Sequence, residues 1–341
     1  MIGSANGHRV SISGLGCHVP ERVLTNDELA RMVNTSDEWI RTRTGIRERR
    51  IAAPGEALSD VCLPAARTAL ESAGVTAASV DLLIVATVTP DMWFPATAAL
   101  LADRLGARDA AAYDLSAGCT GFMYALAQAY AALAAGVARC ALVVGGDLLS
   151  KILDWSDRTT CVVFGDGAGA AVLTRAERGG FLGFELGADG SGGPDLYIPA
   201  GGSRLPASAE TVARGEHFVQ MNGREVFKFA TRVLVSSARK LLDECGVGIQ
   251  DVDVYVPHQA NVRIIQHAVE KLGIPEERVV INVDRYGNTS SGSIPLALAD
   301  AVAEGRVRAG DLVLMTGMGA GLTWGSGLLE WTGFSADGGK T

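Results

Sequence analysis

The chain has 341 residues, 48% of them hydrophobic and 20% charged, with 42 glycines and a formal net charge of −8. Such a chain can bury a large core as one domain or two, and its acidic balance excludes general affinity for nucleic acid or an anionic membrane, leaving room only for a local basic patch. Cysteines at 17, 62, 119, 140, 161 and 245 form no C-x-x-C pair, and no His stands at metal-ligand spacing, so neither a zinc site nor a disulfide framework is expected and the thiols read as reduced. Met1 to Arg9 lacks the charged-then-apolar order of a secretory signal, and the most apolar stretch, 122–144, is broken by Gln128, Gly136 and Arg139. The expectation is a soluble cytoplasmic protein.

Apolar runs predict strands over 82–88, 111–114, 141–144, 168–173, 252–256, 279–283, 312–316 and 325–331. Helical patterns over 60–73, 97–105, 122–133, 225–245, 260–272 and 294–304 alternate with several of them, which predicts an α/β fold. The order looks duplicated: 32 residues separate Thr87, closing one strand, from Cys119, and 32 separate Val256, closing another, from Asn288. Two similar halves, 1–175 and 176–333, would bring Cys119 and Asn288 to equivalent helix starts on one crevice, followed by a flexible tail at 334–341.

Cys119 stands among small residues in Asp114-Leu-Ser-Ala-Gly-Cys-Thr-Gly-Phe122, directly ahead of a helix. Free backbone N–H groups and the macrodipole at that point are expected to favour thiolate over thiol. His258, in Val-Pro-His-Gln-Ala-Asn, and Asn288, in Tyr-Gly-Asn-Thr-Ser-Ser-Gly-Ser, complete a candidate constellation. Each keeps an ordinary alternative on spacing alone: a packed thiol, a hydrogen-bonded structural histidine, an asparagine in a turn. The run Phe164-Gly-Asp-Gly-Ala-Gly lacks the Lys-Ser/Thr of a phosphate loop and is expected to make tight turns against neighbouring strands.

Six motifs in order carry a resemblance. They are Thr35-Ser-Asp-Glu-Trp-Ile-Arg-Thr-Arg-Thr-Gly-Ile-Arg-Glu-Arg49, Ala117-Gly-Cys-Thr-Gly-Phe122, Phe164-Gly-Asp-Gly-Ala-Gly-Ala170, His258-Gln-Ala-Asn261, Asn288-Thr-Ser-Ser-Gly-Ser293 and Gly319-Ala-Gly-Leu-Thr-Trp-Gly325. From about Val10 to Trp331 the chain resembles the β-ketoacyl-acyl carrier protein synthase III family. The resemblance implies a duplicated five-layered αβαβα thiolase-like fold, a homodimer, and condensation of a short acyl-CoA with malonyl-acyl carrier protein, with no cofactor or metal.

Residue by residue, it implies Cys119, His258 and Asn288 as the catalytic trio, with an oxyanion hole at the backbone N–H groups of Cys119 and Ala320. Coenzyme A contacts would fall to Thr35, Trp39, Arg43, Arg158 and Asn261: Trp39 and Arg43 sandwiching the adenine, Arg158 at the phosphate end, and Asn261 on the pantetheine arm. Phe94, Phe164 and Met318 would shape the acyl pocket, Phe94 by reaching into that of a second copy. Lys228, Arg263 and Lys271 would receive the carrier protein. Met318 stands where a Phe is frequent, which leaves acyl preference open. No second Cys stands in Gly317-Met-Gly-Ala-Gly, which argues against thiolytic cleavage. Two alternatives stay open here: a priming ketosynthase or acyltransferase of secondary metabolism, and a catalytically idle carrier-binding subunit.

Overall fold

The computed structural model describes residues 9–333, and the tail at 334–341 lies outside the described residues. In chain order the first set of elements is β1 (Arg9–His18), β2 (Arg22–Thr25), α1 (Asn26–Met32), α2 (Asp37–Thr44), β3 (Glu48–Ile51), α3 (Leu58–Ala73), β4 (Leu82–Ala86), α4 (Thr97–Leu105), β5 (Ala111–Leu115), α5 (Gly121–Ala134), β6 (Cys140–Leu148), α6 (Arg158–Cys161) and β7 (Asp166–Ala176). The second is β8 (Gly180–Ala188), β9 (Leu196–Tyr197), α7 (Ala209–Ala213), β10 (Gln220–Met221), α8 (Gly223–Cys245), β11 (Val254–Pro257), α9 (Val262–Leu272), α10 (Val283–Tyr286), α11 (Ser293–Ala303), β12 (Leu312–Gly319) and β13 (Thr323–Glu330).

Strands that are apolar on both faces must be covered on both faces. In β4, Leu82, Ile84 and Ala86 point into one core and Leu83 and Val85 into another, following the two-residue period of a strand. The first core lies between two sheets and is filled by α5 and α11; α3 and α4 cover the far face of the first sheet, and α8 and α9 that of the second. The layers are therefore α, β, α, β, α.

The first sheet has the order β1-β7-β6-β4-β5, and the second, read from its other edge, β8-β13-β12-β11. Strand senses match as well: β6 and β4 run parallel, as do β12 and β11, while β7 and β13 oppose their neighbours. The counterpart of β5 is reduced to one parallel bridge, Tyr255 to Val279. The expected strand at 279–283 is thus corrected: beyond Val279 the chain turns into α10, which carries it toward Asn288.

The glycine-rich run after Phe164 is also not a set of turns. It enters β7, where a Cβ on Gly169 would stand 2.6 Å from the Pro295 Cβ, so the missing side chain lets α11 lie on the strand. Arg49 on β3 is fully buried and donates to Leu24 O, Asn26 Oδ1 and Val162 O, tying the α1–α2 segment to the body; burial lowers its pKa to about 10, and it keeps its charge at neutral pH. No helix among the described residues is long and apolar enough to cross a membrane.

Candidate active site

Because the two sheets repeat one topology, the turn after β5 and the turn after α10 are equivalent, and each delivers a polar side chain to the same place. Cys119 precedes α5 and Asn288 precedes α11; both are buried. Backbone is pressed on backbone here. A Cβ on Gly118, whose φ is +57°, would lie 2.6 Å from Ala320 O, and one on Gly319 would lie 2.4 Å from Cys119 N. The Gly319-Ala320 chain can therefore approach the cysteine only as glycine allows. Gly319→Ala is expected to push the Cys119 backbone aside and to lower Tm by several degrees, read by calorimetry.

Two cavities meet at Cys119. One, of about 180 Å³, is lined by Cys119, His258, Asn288, Asn261, Phe227 and Met318, among others. The other, of about 230 Å³, is almost wholly apolar, with Val88, Leu149, Ile152, Leu196, Ile198 and Val219 in its wall. Phe164 borders both. Met318 faces the first cavity rather than the apolar one, and Phe94 lines neither; its side chain is 84% exposed, beside Trp93 at 79%.

His258 is buried, and burial lowers its pKa to about 3, so the ring is neutral. Its Nδ1 bonds Ser293 Oγ at 2.5 Å, and that hydroxyl already accepts from the Gln259 N–H at 3.3 Å. With no other acceptor bonded to it, the Ser293 hydroxyl donates to Nδ1, which leaves the ring hydrogen on Nε2. Nε2 has no protein partner. Asn288 is oriented the same way: its Oδ1 accepts the Ser290 N–H at 2.8 Å, which turns the NH₂ group toward the cavity. Two neutral donors thus share one pocket with a sulfur.

The sulfur itself departs from expectation. Burial, partly offset by a Ser290 hydroxyl and added to by the Asp147 carboxylate, raises the Cys119 pKa to about 12. The helix start does not produce a resting thiolate; desolvation wins, and the free protein holds a thiol.

Arg158 lies over the Trp39 indole, 4.8 Å from the ring centroid, and its Nη1 donates to Asn34 O. Arg43 contributes its carbonyl, which accepts from Asn261 Nδ2 at 3.0 Å, while Asn261 Oδ1 caps α9 through the Arg263 N–H. Thr35 Oγ1 is buried without a partner. Arg263 lies over Phe227, at 5.6 Å, and Phe227 lines the first cavity. Lys228 sits on α8 paired with Glu225 at 2.7 Å, whereas Lys271, at the far end of α9, borders a separate surface groove with Arg232 and Arg239. The hydroxyls of Thr289 and Ser290, buried and without partners beside the trio, are absent from the sequence reading; two hydroxyls in the Asn288-Thr-Ser motif are the signal that could have found them. Among the described residues no cluster of His, Cys, Asp or Glu could hold a metal ion.

A duplicated α/β unit that opposes a thiol from one copy to paired donors from the other defines the thiolase-fold condensing enzymes. Two family models match the chain, 3-oxoacyl-[acyl-carrier-protein] synthase III over residues 113–190 and its C-terminal counterpart over 242–331. The chain is 61% identical to β-ketoacyl-[acyl-carrier-protein] synthase III of Symbiobacterium thermophilum over 94% of its own length and 98% of that protein's, and 56% identical to the Desulfitobacterium hafniense enzyme of the same name over 95% and 98%. The crystal structure of the Thermus thermophilus synthase III superposes with a TM-score of 0.89 at 51% identity, covering 95% of this chain and all of that one. The chain belongs to the β-ketoacyl-[acyl-carrier-protein] synthase III family, acyl-transferring condensing enzymes of fatty acid synthesis.

Proposed function

We propose that the protein takes a short acyl group from acyl-CoA onto Cys119 and condenses it with malonyl-acyl carrier protein. The observation that carries this reading is the meeting of an apolar cavity and a donor-lined cavity at one buried sulfur. In the loading step the Cys119 sulfur attacks the thioester carbonyl, the Cys119 proton ends on the departing coenzyme A sulfur, and the acyl chain enters the apolar cavity. The backbone N–H groups of Cys119 and Ala320 would hold the tetrahedral oxyanion. Malonyl thioester then enters the first cavity; loss of CO₂ leaves enolate charge on its carbonyl oxygen, held by His258 Nε2–H and the Asn288 NH₂. The enolate carbon attacks the acyl-Cys119 carbonyl, the bond from that carbonyl to the Cys119 sulfur breaks to give the 3-ketoacyl thioester, and the released thiolate takes a proton from water to return to the thiol. Division of labour between halves 1–175 and 176–333, thiol in one and donors in the other, follows from the same reading.

Coenzyme A would enter over Trp39, the adenine stacking on the indole in place of, or outside, the Arg158 guanidinium. Trp39→Ala is expected to raise KM for acyl-CoA about tenfold with kcat within about twofold, because stacking remote from the sulfur binds ground and transition states alike. Arg263 and Lys228, flanking Phe227, would receive the acidic carrier protein, with Lys271 further along α9. The unpaired edge of β5, with Tyr113, and the exposed run Met92-Trp93-Phe94 ahead of α4 support a homodimer in which the Phe94 loop of a second copy closes the apolar cavity.

His258 sets a pH signature. With its pKa lowered to about 3, the ring is already overwhelmingly neutral at pH 5 and gains nothing as pH rises through 6.5. Malonyl-carrier protein decarboxylation is therefore expected to stay flat from about pH 5 to 8, and an inflection near 6.5 would contradict a neutral Nε2–H donor. The function as a whole is tested by incubating the protein with acetyl-CoA and malonyl-carrier protein and detecting 3-ketoacyl-carrier protein with stoichiometric CO₂. Failure to form it across a panel of short acyl-CoA donors would sink the reading.

A further inference from the structure

We infer that Ser290 is a further catalytic residue, whose hydroxyl donates a hydrogen bond to the Cys119 sulfur as that sulfur ionises. This rests on the reading of Cys119 as nucleophile and adds a group to it. Three observations carry the inference. Ser290 and Cys119 line the same apolar cavity, on opposite halves of the duplication. The Ser290 Oγ is buried and has no oriented protein partner, a costly state for a hydroxyl in a folded chain. Ser290 also has a φ of +53°, the one left-handed non-glycine residue among those described, and its N–H is fixed on Asn288 Oδ1. Left-handed backbone at a side chain of this type is uncommon, and strain held in that way clusters at functional sites.

The electrostatics explain what the hydroxyl is for. The titratable groups facing the sulfur are Asp147 at the end of β6, a carboxylate that opposes ionisation, and His258, which is neutral. No cation offsets burial. A thiolate formed here must be held by neutral donors, and the candidates are the Cys119 backbone N–H and Ser290 Oγ–H. Thr289, the other unpartnered hydroxyl of the motif, lines neither cavity. The bond forms as the thiol proton leaves toward the coenzyme A sulfur, and it is released when the sulfur becomes a thioester.

The test compares Ser290→Ala and Ser290→Gly with the unaltered protein. Glycine accepts a φ of +53° without strain, and both changes remove bulk, so neither can slow a reagent by closing access. Alkylation of Cys119 by iodoacetamide, followed by peptide mass spectrometry between pH 6 and 9, should be about tenfold slower in both variants at every pH, a shift of about one unit in thiol pKa, while the exposed Cys17 reacts at an unchanged rate. Calorimetry should place the Tm of both variants within about two degrees of the unaltered protein, so that slower alkylation reports the lost hydroxyl and not a loosened fold. Unchanged or faster Cys119 alkylation overturns the inference, and so does slower alkylation accompanied by a fall in Tm of several degrees in both variants, which marks a general disturbance of the site. Failure of the unaltered protein to accept any acyl-CoA would instead strike the functional reading, leaving the alkylation result intact.

Discussion

Cys119→Ala should abolish condensation while sparing decarboxylation. Without the sulfur no acyl-enzyme forms, and product formation is expected to fall at least about 10⁴-fold, the scale on which enzymes lose rate when a covalent nucleophile is removed. The donors proposed to stabilise an enolate, His258 Nε2–H and the Asn288 NH₂, are held by Ser293 and by the Ser290 N–H, neither of which depends on the thiol. The variant should therefore still release CO₂ from malonyl-carrier protein, now with acetyl-carrier protein as product. The two products separate on conformationally sensitive gels or by mass. Simultaneous loss of CO₂ release in a folded variant would mean that the sulfur itself takes part in decarboxylation.

The second large effect is the mirror image. His258→Ala and Asn288→Ala each remove one buried donor from the first cavity, where such a donor is worth about 3 kcal/mol of barrier. Decarboxylation is expected to fall about 10²- to 10³-fold in each, and acylation of Cys119 by acetyl-CoA by less than about tenfold. The split follows from geometry: both donors line the first cavity, while the chain that closes on the Cys119 backbone is Gly319-Ala320. Equal loss of loading and decarboxylation would show that the two oxyanion positions are not separate.

That Cys119, His258 and Asn288 share one cavity was legible in the chain because each stands in a motif, and each motif is local. The central strands were legible too, since β4 and β6 are buried on both faces and so read as unbroken apolar runs. β1 and β8 were missed for the converse reason. Their sequences, RVSISGLGCH and GFLGFELGA, place glycines where helices or strands approach closely, as at Gly14 and Gly16 under α3, and small residues carry no hydropathy signal. Val279 to Val283 has the composition of a strand, yet only Val279 pairs, because the chain must leave the sheet to deliver Asn288. Contacts such as Arg158 on Trp39 join residues far apart in sequence, and neither residue's neighbours announce the other. The protonation state of Cys119 was misjudged because a helix start is visible in sequence while burial is not. Desolvation, a property of the whole packed molecule, decides it.

Intact-mass spectrometry through one catalytic cycle bears most directly on the account. Incubation with acetyl-CoA should add a single acetyl group, mapped by peptide analysis to Cys119, and addition of malonyl-acyl carrier protein should then return the protein to its original mass as acetoacetyl-carrier protein appears. An unmodified protein, acetyl on another residue, or an adduct on Cys119 that malonyl-carrier protein leaves in place would contradict it.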